Sequence, residues 1–345
     1  MSGTNNIWLW GLCFLLILSI EVGAQEKFRV MFYNAENLYD TKDNPKTNDD
    51  DLTPDGNLHW DNHRYWKKLH DISKVIISAG EGYPPALVGL CEVENDSVLF
   101  DLTKRASLNR HKYEYIITKS KDARGSNTAL LYQRDQIKIL SRKMYTPTLN
   151  DERTTRDILH VTGKVVNGNI LDIFVCHFPS RSEGIKKSRP HRIACAQLLK
   201  HKTDSLLRIR KKANIIIMGD FNDYPEDISM SQTLNAERIT EPISDNKLYN
   251  LFYYENKAEE AGSYKYRGKW GFIDQFVVSG NLLNTKRNLY IKGGAANVYT
   301  AEFLLEEDNK KYKGMKPFRT YSGWKYVGGF SDHLPIYIDL IIINE

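Results

Sequence analysis

The chain has little cysteine, four residues in 345. That is too sparse for a disulfide framework to hold a protein of this length. It has no run of like charge long enough to be a tail, because 48 basic residues are interspersed with 43 acidic ones for a formal charge of +5. A basic nucleic-acid tail is therefore excluded, and charge alone selects no polyanionic partner. There is no low-complexity linker and no shift in composition that would mark a domain boundary. There is also no apolar run of the roughly 20 residues that a spanning helix needs. With 41% hydrophobic and 26% charged residues, the sequence describes an ordinary globular chain, long enough to bury a sizeable core.

The N-terminus has a pattern of its own. Residues Ile7–Ile20 are almost wholly apolar and lead through Glu21 to the small residues Val22-Gly23-Ala24. The length of the run and the small residues after it fit a signal peptide over 1–24. No Lys or Arg precedes the run, so an uncleaved anchor is the alternative. Cleavage near Ala24 would export the mature chain, 25–345, to the periplasm or outside the cell, as one domain. Removing 1–24 removes Glu21 and no base, so the charge rises from +5 to +6. It also removes Cys13 and leaves Cys91, Cys176 and Cys195, an odd number with at least one free thiol. Cys91 and Cys176 sit in apolar runs and read as small core residues.

Short apolar, β-branched or aromatic runs recur along the mature chain. Phe28–Tyr33, Ala86–Cys91, Tyr113–Thr118, Thr128–Tyr132, Ile170–Cys176, Ile215–Met218, Ile273–Val278 and Leu334–Ile343 each read as a strand. Tyr65–Ile76 and Pro190–Leu207 place apolar residues at helical spacing, and Pro190 suits a first helical turn. Strands alternating with helices indicate an α/β architecture. Asp40–Asp61 reads as a polar surface loop, and Gly280–Gly329 as an insertion or an irregular surface wall.

Six of these strand-like runs end in polar residues able to bind a metal or a phosphate, which is where α/β sheets build their sites. Met31–Leu38 carries Asn34 and Glu36, although an Asn there also suits a simple turn. Leu87–Asn95 carries Glu92, a carboxylate directly after an apolar strand, which needs a cation or several donors if buried. Phe174–Arg181 carries His177, Ser180 and Arg181; the histidine is either structural or phosphate-facing. In Ile215–Asp223, Gly219 permits a close approach, and Asp220 and Asn222 share one side of an extended chain. Trp270–Val278 holds Asp274 inside a strand, where a bare carboxylate needs a partner. Gly328–Ile336 holds Ser331, Asp332 and His333 in succession. A serine-hydrolase triad takes its members from separate segments, so Asp332 and His333 better suit a metal ligand and a proton-handling imidazole.

Together and in this order, the six segments resemble the endonuclease/exonuclease/phosphatase superfamily, which includes deoxyribonuclease I, abasic-site endonucleases, secreted sphingomyelinases and inositol-polyphosphate 5-phosphatases. The resemblance runs from about Phe28 to Leu340, and Gly219-Asp220-Phe221-Asn222 and Ser331-Asp332-His333 are its most specific parts. The variants YNAENLYD, LCEVEN, HFPSR and GGFSDHLP look most like exported members from bacteria related to Bacteroides. The resemblance implies a four-layer α/β sandwich, two mixed sheets face to face with helices outside, and a site opening at one edge. It implies a divalent metal, magnesium first with manganese or calcium as alternatives, with Glu92 as principal ligand and Asn34, Asp332 and Glu36 at or near it. It implies that Asp220 activates water, that Asn222 and His177 face the phosphate, and that His333, paired with Asp274, contacts the scissile group. Abasic-site endonucleases carry tyrosine where His177 stands, which makes that activity a poorer match. Many relatives carry an acid where Gly125–Thr128 lies here, so Asn127 receives no catalytic role. Arg156 reads equally as a phosphate contact or as a salt bridge.

The implied reaction is hydrolysis of a phosphate ester by in-line water attack. Nucleic acid is the leading substrate, because the +6 charge and the basic, aromatic segment Ser263–Trp270 suit a polyanion with stacking bases. Trp270, Arg181 and Arg156 are the candidate substrate contacts. A sphingomyelinase-like or inositol-phosphate activity is the alternative, with Leu248–Tyr254 the one apolar candidate for membrane contact. A non-catalytic binding protein on the same scaffold is a third. No obligate protein partner is indicated, and a monomer is expected.

Overall fold

The computed structural model describes residues 27–253, 262–309 and 311–344. The expected signal peptide over 1–24 lies outside them. In chain order the first elements are β1 (Lys27–Leu38), α1 (Asn62–Ala79), β2 (Leu87–Val93), α2 (Asp96–Phe100), β3 (Glu114–Ile117) and β4 (Asn127–Tyr132). Then come β5 (Ile137–Tyr145), β6 (Ile158–Val165), β7 (Ile170–His177), α3 (Ile185–Ile209) and β8 (Ile215–Asp220). Next are β9 (Ala236–Glu237), β10 (Leu248–Asn250), β11 (Tyr264–Tyr266), β12 (Lys269–Gly271) and β13 (Asp274–Ser279). The last third adds β14 (Leu289–Ile291), β15 (Asn297–Val298), the hairpins β16 (Leu305–Glu307)–β17 (Met315–Pro317) and β18 (Tyr321–Ser322)–β19 (Lys325–Tyr326), and β20 (Ile336–Ile342).

Two seven-stranded sheets result. The first has the order β14-β20-β1-β2-β4-β3, with β15 also on β20; the second is β5-β6-β7-β8-β13-β10-β9. Both are mixed: β1–β2 and β7–β8 are parallel, whereas β1–β20 and β8–β13 are antiparallel. Period-two alternation decides what each sheet buries on each face. Phe28, Val30 and Phe32 of β1 join Ile173, Val175, Ile216, Met218, Phe276 and Val278 of the second sheet in a shared inner core. The intervening Met31, Tyr33 and Ala35 pack under α1 through Leu69, Ile72 and Ile76. Phe174, Cys176, Ile215 and Ile217 pack under α3 through Cys195, Ala196 and Leu199. The layers are therefore helix, sheet, sheet, helix, the expected four-layer sandwich.

Most of the expected elements are present with modest shifts at their ends. The edge strand β5 and its neighbour β6 were not anticipated, and β5 carries Lys138, Ser141, Arg142 and Lys143 on largely exposed positions that hide its period. Helix α1 begins at a side-chain cap, Asp61 accepting from Arg64 N–H at 2.9 Å. Pro190 lies inside α3, not in its first turn, because the helix begins at Ile185. The buried Arg192 donates there to Ile185 O at 3.3 Å and to Ser188 Oγ at 2.8 Å, while the carbonyl that the missing proline N–H would have served is that of Lys186. Of the segment Leu248–Tyr254 that suggested membrane contact, Leu248–Phe252 is buried core, Tyr253 is half-buried and Tyr254 lies outside the described residues. Cys91, Cys176 and Cys195 are free, buried thiols. Among the described residues no helix is long and apolar enough to cross a membrane.

Candidate active site

The site grows out of the inner core. His177 continues the inward parity of Ile173 and Val175, Asp220 that of Ile216 and Met218, and Asn34 that of Val30 and Phe32. Asp274 begins the parity that Phe276 and Val278 continue. Register sets them level: Asp220 pairs with His177 on one side and with Asp274 on the other. Where the apolar layer between the sheets ends, these strands place polar side chains. Gly219 faces the other way, where a Cβ would lie 2.3 Å from Cys176 O. Its small size serves the approach of neighbouring backbone.

Glu92 does not obey this parity. Leu87 and Cys91 point into the inner core, so Glu92 should point away. The β2–β4 register slips between Cys91 and Val93, and Glu92 has a left-handed φ of 57°. That bulge turns the carboxylate toward the site. The exit of β1 does likewise, with Glu36 at 46° and Asn37 at 54°, and Asn222 beyond β8 lies at 51°. Four non-glycine residues in this conformation at one edge mark a backbone held by its surroundings.

The groups converge closely. Asn34 Nδ2 donates to Asp220 Oδ2 at 3.1 Å and lies 3.5 Å from Glu92 Oε1 and 3.4 Å from His333 Nε2. His177 Nε2 is 3.7 Å from Asp220 and 3.9 Å from Glu92. His333 Nδ1 donates to Asp274 Oδ2 at 2.7 Å, Ser263 Oγ donates to the same oxygen at 2.6 Å, and His333 Nε2 is 3.8 Å from Asp220. Asn37 N–H holds Glu92 Oε2 at 3.0 Å. The ring of Tyr264 lies 4.8 Å from that of His333.

Burial and charge then set the protonation states. Burial lowers the His333 pKa, but Asp274 first, then Asp332 and Asp220, hold it well above the usual histidine range. His177 goes well below that range, through burial and the nearby Arg156, Arg124 and His333. Burial, with Asp274 close by, pushes Asp220 up to about 7. Glu92 falls below the ordinary carboxylate value: burial opposes this, but Arg124, His333 and Asn37 N–H outweigh it. The site thus pairs one charged and one neutral imidazole with two carboxylates of different basicity.

The residues fit a hard divalent cation. Asp220, Asp274 and His333 have ligand atoms within 4.8 Å of one another and could hold one. Yet His333 Nδ1 is committed to Asp274, so a cation sits more naturally against Glu92, whose Oε1 meets no donor closer than 3.5 Å. Burial first, and then the neighbouring Asp274, raise Asp220, and a cation would offset both by compensating buried negative charge.

Other expected residues stand differently. Asn34 Oδ1 accepts from Glu36 N–H at 2.9 Å, so its oxygen is engaged and its amide nitrogen faces the site. Both Glu36 oxygens are held, one by Thr320 N–H at 2.6 Å and one by Arg319 at 3.3 Å, with the buried Lys68 at 4.0 Å. Glu36 therefore braces the wall and has no free oxygen for a metal. Asp332 shares Arg319 at 3.1 Å and keeps its other oxygen 3.9 Å from His333 Nε2. Asn222 N–H donates to Asp220 Oδ1 at 2.9 Å, and its amide donates to Phe178 O at 3.2 Å. Arg181 is tied to Asp223 and Asp227 and lies over the Tyr224 ring, and Arg156 is a buried partner of Asp122 at 3.1 Å and of Phe178 O at 2.8 Å. Both arginines thus hold protein groups. Trp270 is half-buried on the hairpin β11–β12, whose Lys265 is neutralised by Asp308 at 3.1 Å. Asn127 Nδ2 donates to Glu94 O at 2.6 Å and holds the loop there. Ser263, Arg124, Lys68 and Arg319 were not singled out. Ser263 opens the basic, aromatic segment, but nothing in the sequence distinguishes Arg319 within Gly280–Gly329, of which β14 and β15 join the first sheet and β16–β17 and β18–β19 form hairpins.

A family model described as Endonuclease/Exonuclease/phosphatase family matches residues 29–341. An endonuclease/exonuclease/phosphatase family protein from Bacteroides thetaiotaomicron shares 16% identity over 93% of this chain and 100% of its own, with a TM-score of 0.56. A mannosyl-6-phosphatase from Bacteroides thetaiotaomicron VPI-5482 shares 17% over 91% and 100%, with a TM-score of 0.55. The human Nocturnin catalytic domain, with a bound sulfate anion, shares 16% over 91% and 94%, with a TM-score of 0.53. At these identities the structures speak for the fold. No curated protein matches the chain in sequence.

Proposed function

The chain belongs to the endonuclease/exonuclease/phosphatase family and is a metal-dependent phosphoric ester hydrolase; from that premise we propose that it is an exported phosphodiesterase that cuts nucleic acid. The observation that carries the reading is the convergence of Asn34, Glu92, His177, Asp220 and Asp274, from strands of both sheets, with His333 from the loop before β20. Glu92, with Asp332 next to it in line, would hold the divalent cation, magnesium first and manganese or calcium otherwise. Bound there, it supplies a Lewis acid for the phosphoryl and leaving oxygens.

The chain's own groups do the rest. Asp220, with a pKa pushed up to about 7, takes the proton of the attacking water at an oxygen that Asn34 orients. Charged His333, fixed by Asp274, donates through Nε2 to the developing negative charge. Neutral His177 adds a second donor through Nε2, 3.7 Å from Asp220. Asn222 fixes the other Asp220 oxygen through its backbone. Tyr266, Arg267 and Lys269 on the tip of β11–β12 are exposed beside this edge and suit bases and backbone phosphates.

The test is a panel of single- and double-stranded DNA and RNA, an inositol polyphosphate, sphingomyelin vesicles and a sugar phosphate. It is run with magnesium, manganese or calcium and with chelator, beside Asp220→Ala. Chelator-sensitive nucleic-acid cleavage that is lost in Asp220→Ala is expected. Turnover of monoesters alone would refute the phosphodiesterase reading and keep phosphate-ester hydrolysis. Sequencing the N-terminus of the secreted protein tests export: a mature chain starting near Gln25 is expected.

A further inference from the structure

The end of the sandwich opposite the catalytic edge carries a cleft of about 380 Å³. It lies where β7 and β8 begin and β14 starts, and the active groups lie where β7 and β8 end. At about 3.3 Å per residue along β7, the two ends are roughly 20 Å apart. Ten residues line the cleft: five are asparagines, three are cations and none is acidic. Lys212 and Lys286 are exposed, and Arg287 pairs through Nη2 with Asp245 at 2.6 Å outside the lining.

Two of its polar atoms have no partner. Asn214 Nδ2 donates to Ile170 O at 2.9 Å, so its Oδ1 must accept, and it does so from Asn281 Nδ2 at 2.6 Å. That chain fixes the amide of Asn281, a residue only 3% exposed, and leaves its Oδ1 buried without a donor. Arg287 Nε is likewise buried without an acceptor. A buried acceptor lacking a donor and a buried donor lacking an acceptor are both costly, and one ligand group of each kind would satisfy them.

We infer that this cleft is a second binding site, for an oxyanion that also carries hydroxyl groups, such as a sugar sulfate or sugar phosphate. The cations take the anionic oxygens, and Arg287 Nε gives the acceptor-seeking bond. Asn281 Oδ1 takes a hydroxyl proton and the half-buried Asn169 amide a further hydroxyl, whereas the amides of Asn167 and Asn214 are already engaged within the protein and only shape the cleft. The volume lies within the about 300–1,000 Å³ of small-molecule sites, larger than a bare inorganic anion requires. The site stands apart from the catalytic groups and does not depend on what they hydrolyse.

The test is calorimetric titration of the full chain with glucose 6-sulfate, which phosphate-ester hydrolysis does not consume, and with inorganic sulfate and glucose separately. Saturable binding of glucose 6-sulfate is expected, at least about tenfold tighter than either fragment. Lys286→Glu and Asn281→Leu should each weaken it about tenfold, leaving phosphate-ester turnover unchanged, whereas Asp220→Asn should leave the binding intact. Lys286 is exposed, so that variant should fold even if Asn281→Leu does not. Equal binding of inorganic sulfate, loss of binding in Asp220→Asn with retention in Lys286→Glu, or no binding at all would each overturn the inference.

Discussion

In the second sheet, His177, Asp220 and Asp274 reach the site by continuing the alternation of their strands, whereas in the first sheet Glu92 reaches it only through a bulge and a left-handed backbone. Both sheets present a carboxylate to the same few ångströms, yet one needs only period two and the other a local break in it. The difference has a physical origin. A parallel pair such as β7–β8 brings its C-terminal ends level, so register alone aligns His177 with Asp220. Strands β1 and β2 are also parallel, but β2 ends on a residue of the wrong parity, and the chain must spend one residue to turn it. The expectation is that the second sheet tolerates no change at its site residues for chemical reasons, while the first is also sensitive to backbone.

The largest effect should come from the second sheet. Asp220→Ala removes the proton acceptor and should cut kcat by about 10²–10⁴ with the fold intact by circular dichroism. Activity within about twofold of the parent would remove Asp220 from the chemistry. Asp274→Asn keeps the volume but takes away the charge that holds His333 protonated. A loss of about 10² in kcat is expected, smaller than for Asp220→Ala, since the imidazole stays in place and loses only its charge and orientation. An unchanged rate would mean that the short His333–Asp274 bond is structural only.

The first sheet is probed by Glu92→Gln, which preserves shape. In the parent, magnesium should raise Tm by a few degrees, since anything that binds only the folded state stabilises it. The shift should vanish in the variant. A full shift in Glu92→Gln would place the cation on Asp220, Asp274 and His333 instead. The smallest effects should come from the strained backbone. Asn37→Gly keeps the N–H that holds Glu92 and relieves a φ of 54°, so stability should change by about 0.5 kcal/mol or less. Asn37→Val forces a β-branched residue into that conformation and should cost about 1–2 kcal/mol by urea denaturation. Equal stability of the two variants would show that the exit of β1 has no need of its left-handed turn.

The same contrast explains what could be read from the amino acids. Runs such as Ile215–Met218 and Ile170–Cys176 are buried on both faces, so their composition alone announces strands, and the polar residues that end them announce a site. Edge strand β5 escaped because water, not core, faces most of its side chains. Glu36 is expected near the metal only through the resemblance, in which abasic-site endonucleases carry an acid at that position. Its fate depends on Thr320 and Arg319, nearly 300 residues away, which no local pattern reveals. Arg181 reads as a phosphate contact because a guanidinium suits phosphate, but Asp223 and Asp227 hold it; for Arg156, which reads equally as a phosphate contact or a salt bridge, the partner is Asp122.

The sequence by itself determined most of the strands, the two long helices, the α/β class and the order of the six polar strand ends, because each depends on local hydrophobic period and on residue type. Tertiary structure alone decided which of those polar groups meet and in what state of charge. Register brought Asp220 between His177 and Asp274, a bulge turned Glu92 inward, and burial beside Asp274 raised one carboxylate while Arg124, His333 and a backbone N–H lowered another. Such outcomes rest on distances between groups far apart in the chain and on the loss of water around them, and both come into being only when the sheets close on each other.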